Sequence, residues 1–311
     1  ASLYQTFGIE ARFGFNKTTL GKFISDLVKS LLLAVILGLP LLWAILTIME
    51  SMGALWWLYA WAVWMGFSLL MLWIYPTWIA PLFNKFTPLE DGEMKTRIEA
   101  LLQKTGFDSK GIFVMDGSTR SGHGNAYFTG FGKSKRIVFF DTLLEKLSVD
   151  EVEAVLAHEL GHFKHGHIKK RLFKTFVISL IGLAGLAWLM EQSAFYSGLG
   201  LISQSPAIAL VLFMTTLPML FFWLEPLSAH SSRKDEFEAD AFAVTHSSAE
   251  ALTSALVRLY RDNAATLTPH PLYSAYHDSH PPATIRIAHL QSKKVSSSEA
   301  EVESSVVLSA E

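Results

Sequence analysis

The chain has 311 residues, half of them hydrophobic, only 17% charged, and nine of them Trp. An ordinary soluble domain carries about 25% charged residues, so a purely soluble multidomain protein is a poor fit, and the formal net charge of −2 excludes an electrostatic nucleic-acid binder. There is no cysteine, which removes disulfides, a thiol nucleophile, Cys-ligated zinc and iron–sulfur chemistry.

Taken in chain order, the first 20 residues contain Glu10, Arg12 and Lys17 and no long apolar core, so they do not read as a secretory signal. Residues 30–49, 51–84, 175–190 and 192–224 then contain no charged side chain at all. A bilayer core needs about 20 apolar residues per helix, which gives four spans at about 29–50, 55–76, 172–190 and 204–224. All nine Trp lie in or beside these spans, as suits an interfacial ring. Every Lys and Arg lies before the first span, within 85–174 or after Glu225, and none in the turns near 51–54 and 191–203. Basic loops stay cytoplasmic, so two hairpins dip through the bilayer and the hydrophilic segments face the cytoplasm. The organisation expected is an N-terminal segment and hairpin over 1–85, a hydrophilic cytoplasmic segment over 86–171, a second hairpin over 172–224, a helical segment over 225–291, and a disordered Ser/Glu-rich tail over 292–311.

Residues 86–171 read as a small α+β unit. Met94, Ile98, Leu101 and Leu102 share one helical face, and Gly106 stops that helix. Residues 111–115 form a short buried strand, 116–124 a Gly/Ser-rich loop, and 125–128 with 136–140 a hairpin. Ser148 and Glu151 make a capping box that opens the next helix. On that helix stand His158, Glu159 and His162. Residues four apart share a face, so both imidazoles can reach one Zn2+ while Glu159 lies beside its open position. His165 and His167 follow. Gly166 is expected to break the helix, leaving both exposed or behind a ligand, and His123 and His289 are assigned surface roles.

A catalytic zinc takes three protein ligands. The polar run after the fourth span opens a helix carrying Glu236 and Asp240 on one face. Glu236 is favoured as the ligand, with Asp240 accepting the outer N–H of a ligand histidine, as outer-shell carboxylates do. An acid-rich solvated face is the plainer reading of the same run.

With these motifs in place the sequence resembles the type I CAAX prenyl protease family of integral-membrane zinc peptidases. The similarity is carried, in order, by FGFNK at 13–17, IAPLFNKFTP at 79–88, NAYF at 125–128, KRIVFFDTL at 135–143, HELGH at 158–162, EFEADAF at 236–242 and HPP at 280–282. The resemblance implies one zinc on His158, His162 and Glu236, Glu159 as catalytic base, Asp240 behind a ligand histidine, Asn125 and Ala126 on the strand that lines up extended substrate, and His280 and Arg286 beside the metal as oxyanion stabilisers. It implies a multi-pass α-helical membrane protein with a cytoplasmic zincin-like α+β core, its helices enclosing a chamber, and further spans before the stretch matched here. The implied partners are the bilayer and a peptide or protein substrate, C-terminally prenylated in this family, with no nucleic acid. The bacterial inner membrane is the favoured location, and the endoplasmic reticulum applies to a eukaryotic source. Three alternatives compete: a stress-related quality-control zinc protease, a site-2-type intramembrane protease, and a transporter or scaffold with an incidental zinc motif. The second fits poorly, because the histidine motif sits among Asp150, Glu151, Glu153, Lys164 and Lys169 rather than within a span.

Overall fold

The computed structural model describes residues 2–129 and 135–292. The tail expected at 292–311 lies outside the described residues except for Ser292. The chain divides into two compact units, one of residues 1–19, 84–167 and 226–311, the other of residues 20–83 and 168–225.

Among the described residues four helices are long and apolar enough to cross a membrane, Leu20–Ser51, Gly53–Phe83, His167–Met190 and Pro206–His246, and the second unit takes their residues 20–51, 53–83, 168–190 and 206–225. Its interior gathers Met49, Trp56, Ala60, Leu186, Tyr196, Ala209 and Phe213. Trp61 Nε1 donates to the Phe176 carbonyl at 2.9 Å, across two spans. Trp43, Trp78, Trp188 and Trp223 stay exposed. Large apolar side chains left outside the protein interior are what a lipid-facing surface provides.

The fourth span does not end where its apolar run ends. The helix continues unbroken for 41 residues to His246, so the polar run from Ser231 continues a helix rather than opening one. Pro226 sits inside it. A helix-interior proline removes one backbone hydrogen bond but need not end the helix when the surrounding packing holds it. The acids at 236 and 240 therefore lie on the continuation of this helix, in the first unit.

The other unit holds a four-stranded sheet in the order β1-β2-β4-β3: β1 (Phe86–Pro88), β2 (Ile112–Met115), β3 (Ala126–Thr129) and β4 (Arg136–Phe140). The expected hairpin is present, with Ala126 opposite Phe139 and Phe128 opposite Ile137. β2 runs parallel to β4, with Phe113 opposite Val138. β1 pairs antiparallel with β2 and ends on Pro88, which an edge strand tolerates. The same unit carries the helices α1 (Glu93–Thr105), α2 (Asp141–Lys146), α3 (Val149–Lys164), α4 (Ala249–Asp262) and α5 (Pro271–His277). Gly106 ends α1 in the left-handed conformation at φ +64°, a cap that glycine accepts without a Cβ penalty. The core joins Ile98, Leu101, Ile137, Phe139, Leu156, Leu160, Leu252 and Leu256.

The capping box forms as expected: the Ser148 backbone N–H donates to Glu151 Oε2 at 2.8 Å, and the Glu151 N–H donates to Ser148 Oγ at 3.4 Å. Glu151 also accepts from Ser254 Oγ at 2.6 Å and lies 3.0 Å from Arg258 Nε, tying the start of α3 to α4.

Candidate metal centre

The site is assembled where α3 crosses the distal half of the helix Pro206–His246. At the crossing is Gly161. A Cβ there would stand 2.9 Å from Ala239 Cα, 3.0 Å from Phe242 Cβ and 3.1 Å from the Ala239 carbonyl oxygen. Only a residue without a side chain allows so close an approach. That approach carries Glu236 and Asp240, one turn apart, against His158 and His162, also one turn apart.

The inner nitrogens of the two histidines face each other, with His158 Nε2 3.2 Å from His162 Nε2. Glu236 closes the triangle: its Oε2 lies 3.4 Å from His158 Nε2 and its Oε1 3.3 Å from His162 Nε2. Tetrahedral donors about 2.0–2.1 Å from a zinc lie roughly 3.3–3.4 Å from each other, so the three atoms have the spacing of a shared ion. Glu236 is buried, yet its Oε2 accepts no hydrogen bond. An orphaned buried carboxylate oxygen is costly unless something charged meets it. The residues present thus fit a divalent metal.

Asp240 is fully buried and saturated. His158 Nδ1–H donates to its Oδ1 at 2.9 Å, and Arg286 donates from Nε to Oδ2 at 2.9 Å and from Nη2 to Oδ1 at 2.5 Å. Burial by itself lowers the His158 pKa, but the hydrogen bonds to Asp240 and Glu236 outweigh it and raise it to about 9. Glu159 is held above the usual carboxylate range by burial, against the opposing pull of His158 and His162.

The two oxyanion candidates separate here. Arg286 is buried and spends its donors on Asp240, with Nη1 3.4 Å from Glu236 Oε2. His280 has a side chain 62% exposed, with Nε2 3.3 Å from Glu236 Oε1 and Nδ1 3.0 Å from Ser279 Oγ. A cavity of about 690 Å³ opens beside it, lined by Tyr260, Thr266, His270, Tyr273 and His277 among others. Sequence reasoning missed Arg233, whose guanidinium donates to the carbonyls of Ser274, Ala275 and Asp278 and so fixes the end of α5 three residues before His280. Asn125 is exposed and Ala126 buried at the start of β3, an outer strand of the sheet.

The remaining histidines divide. His165 is exposed, as expected. His167 is buried and joined to His162 Nδ1 at 2.9 Å. His123 is not a plain surface residue: it stacks on Phe15 and lies within 3.2 Å of both Asn263 and Glu10. His289 packs its ring on Phe237.

Residues 88–294 match the family model described as peptidase family M48, and residues 1–85 match the model described as the CAAX prenyl protease N-terminal region with five membrane helices. An Arabidopsis thaliana CAAX prenyl protease 1 homolog is 44% identical over 92% of this chain and 68% of its own length. The CAAX prenyl protease 1 of Saccharomyces cerevisiae is 37% identical over 93% of this chain and 67% of its own length, and a Homo sapiens homolog is 36% identical over 94% and 70%. A crystal structure of S. mikatae Ste24p superposes with a TM-score of 0.87 at 38% identity, covering 93% of this chain and 71% of that one. The chain belongs to peptidase family M48, in its CAAX prenyl protease branch, and is a multi-pass membrane metalloprotease.

Proposed function

We propose that this membrane metalloprotease holds one zinc on His158, His162 and Glu236 and removes the C-terminal tripeptide from prenylated proteins. The observation that carries the metal reading is the buried Glu236 carboxylate, with an orphaned Oε2, facing two imidazole nitrogens at donor–donor spacing. When bound there, zinc would polarise the scissile carbonyl and acidify the attacking water. Glu159 takes the proton at its carboxylate and returns it to the leaving amine. His280, with its exposed ring beside the cavity, is the donor for the oxyanion. Arg286 and Asp240 hold His158 in the tautomer that keeps Nε2 free as a ligand. The outer strand β3, from Asn125 and Ala126, aligns extended substrate by strand addition.

The prenylated substrate rests on the names of the relatives and on the N-terminal match over residues 1–85. The one-sided basic residues support catalytic segments on the cytoplasmic side. The membrane is the endoplasmic reticulum for a eukaryotic source, as the named relatives are, and the inner membrane for a bacterial one. The test is zinc content measured on the purified protein, together with cleavage of one peptide in farnesylated and unfarnesylated form. One zinc per chain and a higher kcat/KM for the farnesylated peptide are expected. Equal cleavage of both forms would transfer the assignment to quality-control proteolysis, and cleavage without metal would overturn the mechanism.

A further inference from the structure

His158 has a carboxylate directly behind its outer nitrogen. His162 does not. Its Nδ1 meets another imidazole nitrogen, His167 Nδ1, at 2.9 Å. His167 is buried at the first residue of the helix His167–Met190, just past the turn at Gly166. Its own Nε2 lies 3.1 Å from Glu238 Oε2 and 3.6 Å from Asp235 Oδ1.

The protons on this chain of atoms are constrained. A neutral imidazole has one donor nitrogen and one acceptor nitrogen. If His162 offers the lone pair of Nε2 to a metal, its proton sits on Nδ1. The contact of 2.9 Å then requires His167 Nδ1 to accept, and so His167 carries its proton on Nε2. That N–H must find an acceptor in a buried place, and Glu238 Oε2 at 3.1 Å supplies it, while Asp235 at 3.6 Å adds its negative charge nearby. Reversing any link turns two N–H groups toward each other, or leaves a carboxylate facing a lone pair.

We propose that His167 is a positioning residue of the metal centre, relaying the carboxylates of Glu238 and Asp235 to His162 and so fixing the tautomer and ring orientation of that ligand. This rests on the reading of His158, His162 and Glu236 as the metal ligands. The two ligand histidines are then supported differently: His158 by Asp240 clamped to Arg286, His162 by an imidazole that ends on two acids nearer the surface. Loss of an outer partner typically costs about 10–100-fold in metal affinity or activity.

The experiment measures zinc affinity of the full chain, purified in detergent, by competition with a chromophoric chelator, together with the absorption spectrum of the Co2+-loaded protein. Four variants are compared: His167→Leu, His167→Asn, Glu238→Gln and Glu236→Ala. His167→Leu should weaken zinc by about 10–100-fold and broaden the cobalt spectrum. His167→Asn should recover most of the loss, because its amide oxygen can accept near the place of Nδ1. A role in packing alone predicts the opposite order, since Leu fills the buried volume better than Asn. Glu238→Gln, on a partly exposed side chain, keeps an acceptor but removes the negative charge that raises the basicity of the ligand imidazole, so it should lose about 10-fold and decides the matter if His167→Leu does not fold. Unchanged affinity in His167→Leu, or in Glu238→Gln where that variant decides, overturns the relay. So does a second zinc per chain that Glu238→Gln removes, because His167 Nε2 would then be a ligand itself. If Glu236→Ala abolishes zinc binding while the other three variants bind normally, the relay fails and the ligand set stands. If Glu236→Ala binds normally, the ligand set fails.

Discussion

Gly161→Ala is the smallest change that should disable the metal centre without touching a ligand. The added Cβ would stand 2.9 Å from Ala239 Cα, a backbone atom that no rotamer change can move aside. Carbon atoms settle at about 3.5–4.0 Å, so the two helices must part by roughly 0.6 Å or more. Metal sites tolerate errors of about 0.2 Å in ligand distance. The displaced helix carries Glu236, and the helix it leaves carries both histidines, so the third donor is drawn away from the other two. Zinc affinity should fall at least as far as for loss of an outer-shell partner, about 10–100-fold. Stability should change less. Overpacking costs about 1–3 kcal/mol, and replacing a helical Gly by Ala returns about 1 kcal/mol. The assay is chelator competition for zinc beside thermal unfolding of the metal-free protein. A Gly161→Ala protein that binds zinc like the parent would refute the claim that close approach at this residue sets the ligand geometry.

Four further outcomes are expected. Glu159→Gln should keep zinc and fold but lose about 100-fold or more in turnover, the usual share of a general base; near-normal activity in the zinc-loaded variant would sink the proton-carrier role. Glu236→Ala should lose more zinc affinity than Asp240→Asn in metal titrations, and the reverse order would mean that ligand and support are exchanged. Cysteines placed singly at Ser51 and Leu199 should label from the non-cytoplasmic side, and those at Lys135 and Lys234 from the cytoplasm; cytoplasmic labelling at 199 would break the span assignment. Glu151 is raised by burial, but its hydrogen bonds to Ser254 and Ser148 win and hold its pKa below the ordinary value. The stability it contributes is therefore present above the unfolded carboxylate pKa of about 4.3 and lost as pH falls through the lower folded value. Glu151→Gln keeps an acceptor for the Ser148 N–H but exchanges charge-assisted bonds for neutral ones, so it should cost about 1 kcal/mol at neutral pH and flatten the acid limb of an unfolding-versus-pH curve, and an unchanged acid limb would contradict this.

The parts legible in the sequence are those set by local spacing. Charge-free runs mark apolar helices because a bilayer admits no other long element. Ser148 and Glu151 mark a helix start because both partners of the capping box lie within one turn. His158 and His162 share one face by helical period alone. What could not be read depends on partners far along the chain. The parallel pairing of β2 with β4 and the docking of β1 are settled by the sheet, and β1 is too short to carry a pattern. Arg233 finds three carbonyls more than forty residues away. Arg286 is singled out by the resemblance, but its partner Asp240 lies 46 residues away in sequence and emerges only in the fold. The unbroken helix to His246 was hidden because Pro226 and the onset of charge look like a stop.

The two acids of the distal helix show how one spacing yields two functions. Glu236 and Asp240 are a turn apart on a face packed against α3, where His158 and His162 are likewise a turn apart. The first acid stands level with both inner nitrogens, and its longer side chain reaches between them. The second stands one turn further on, where only the outer nitrogen of His158 is in reach. Asp240 accepts on both oxygens from His158 and Arg286, and it meets the outer rather than the inner nitrogen of His158. Glu236 keeps Oε2 without a hydrogen bond. Interchanging the residue types would put a short acid where reach is needed and a long one where Arg286 already fills the space. The order of the motif, Glu first and Asp four residues later, is thus fixed by the crossing at Gly161 and by which nitrogen each turn meets.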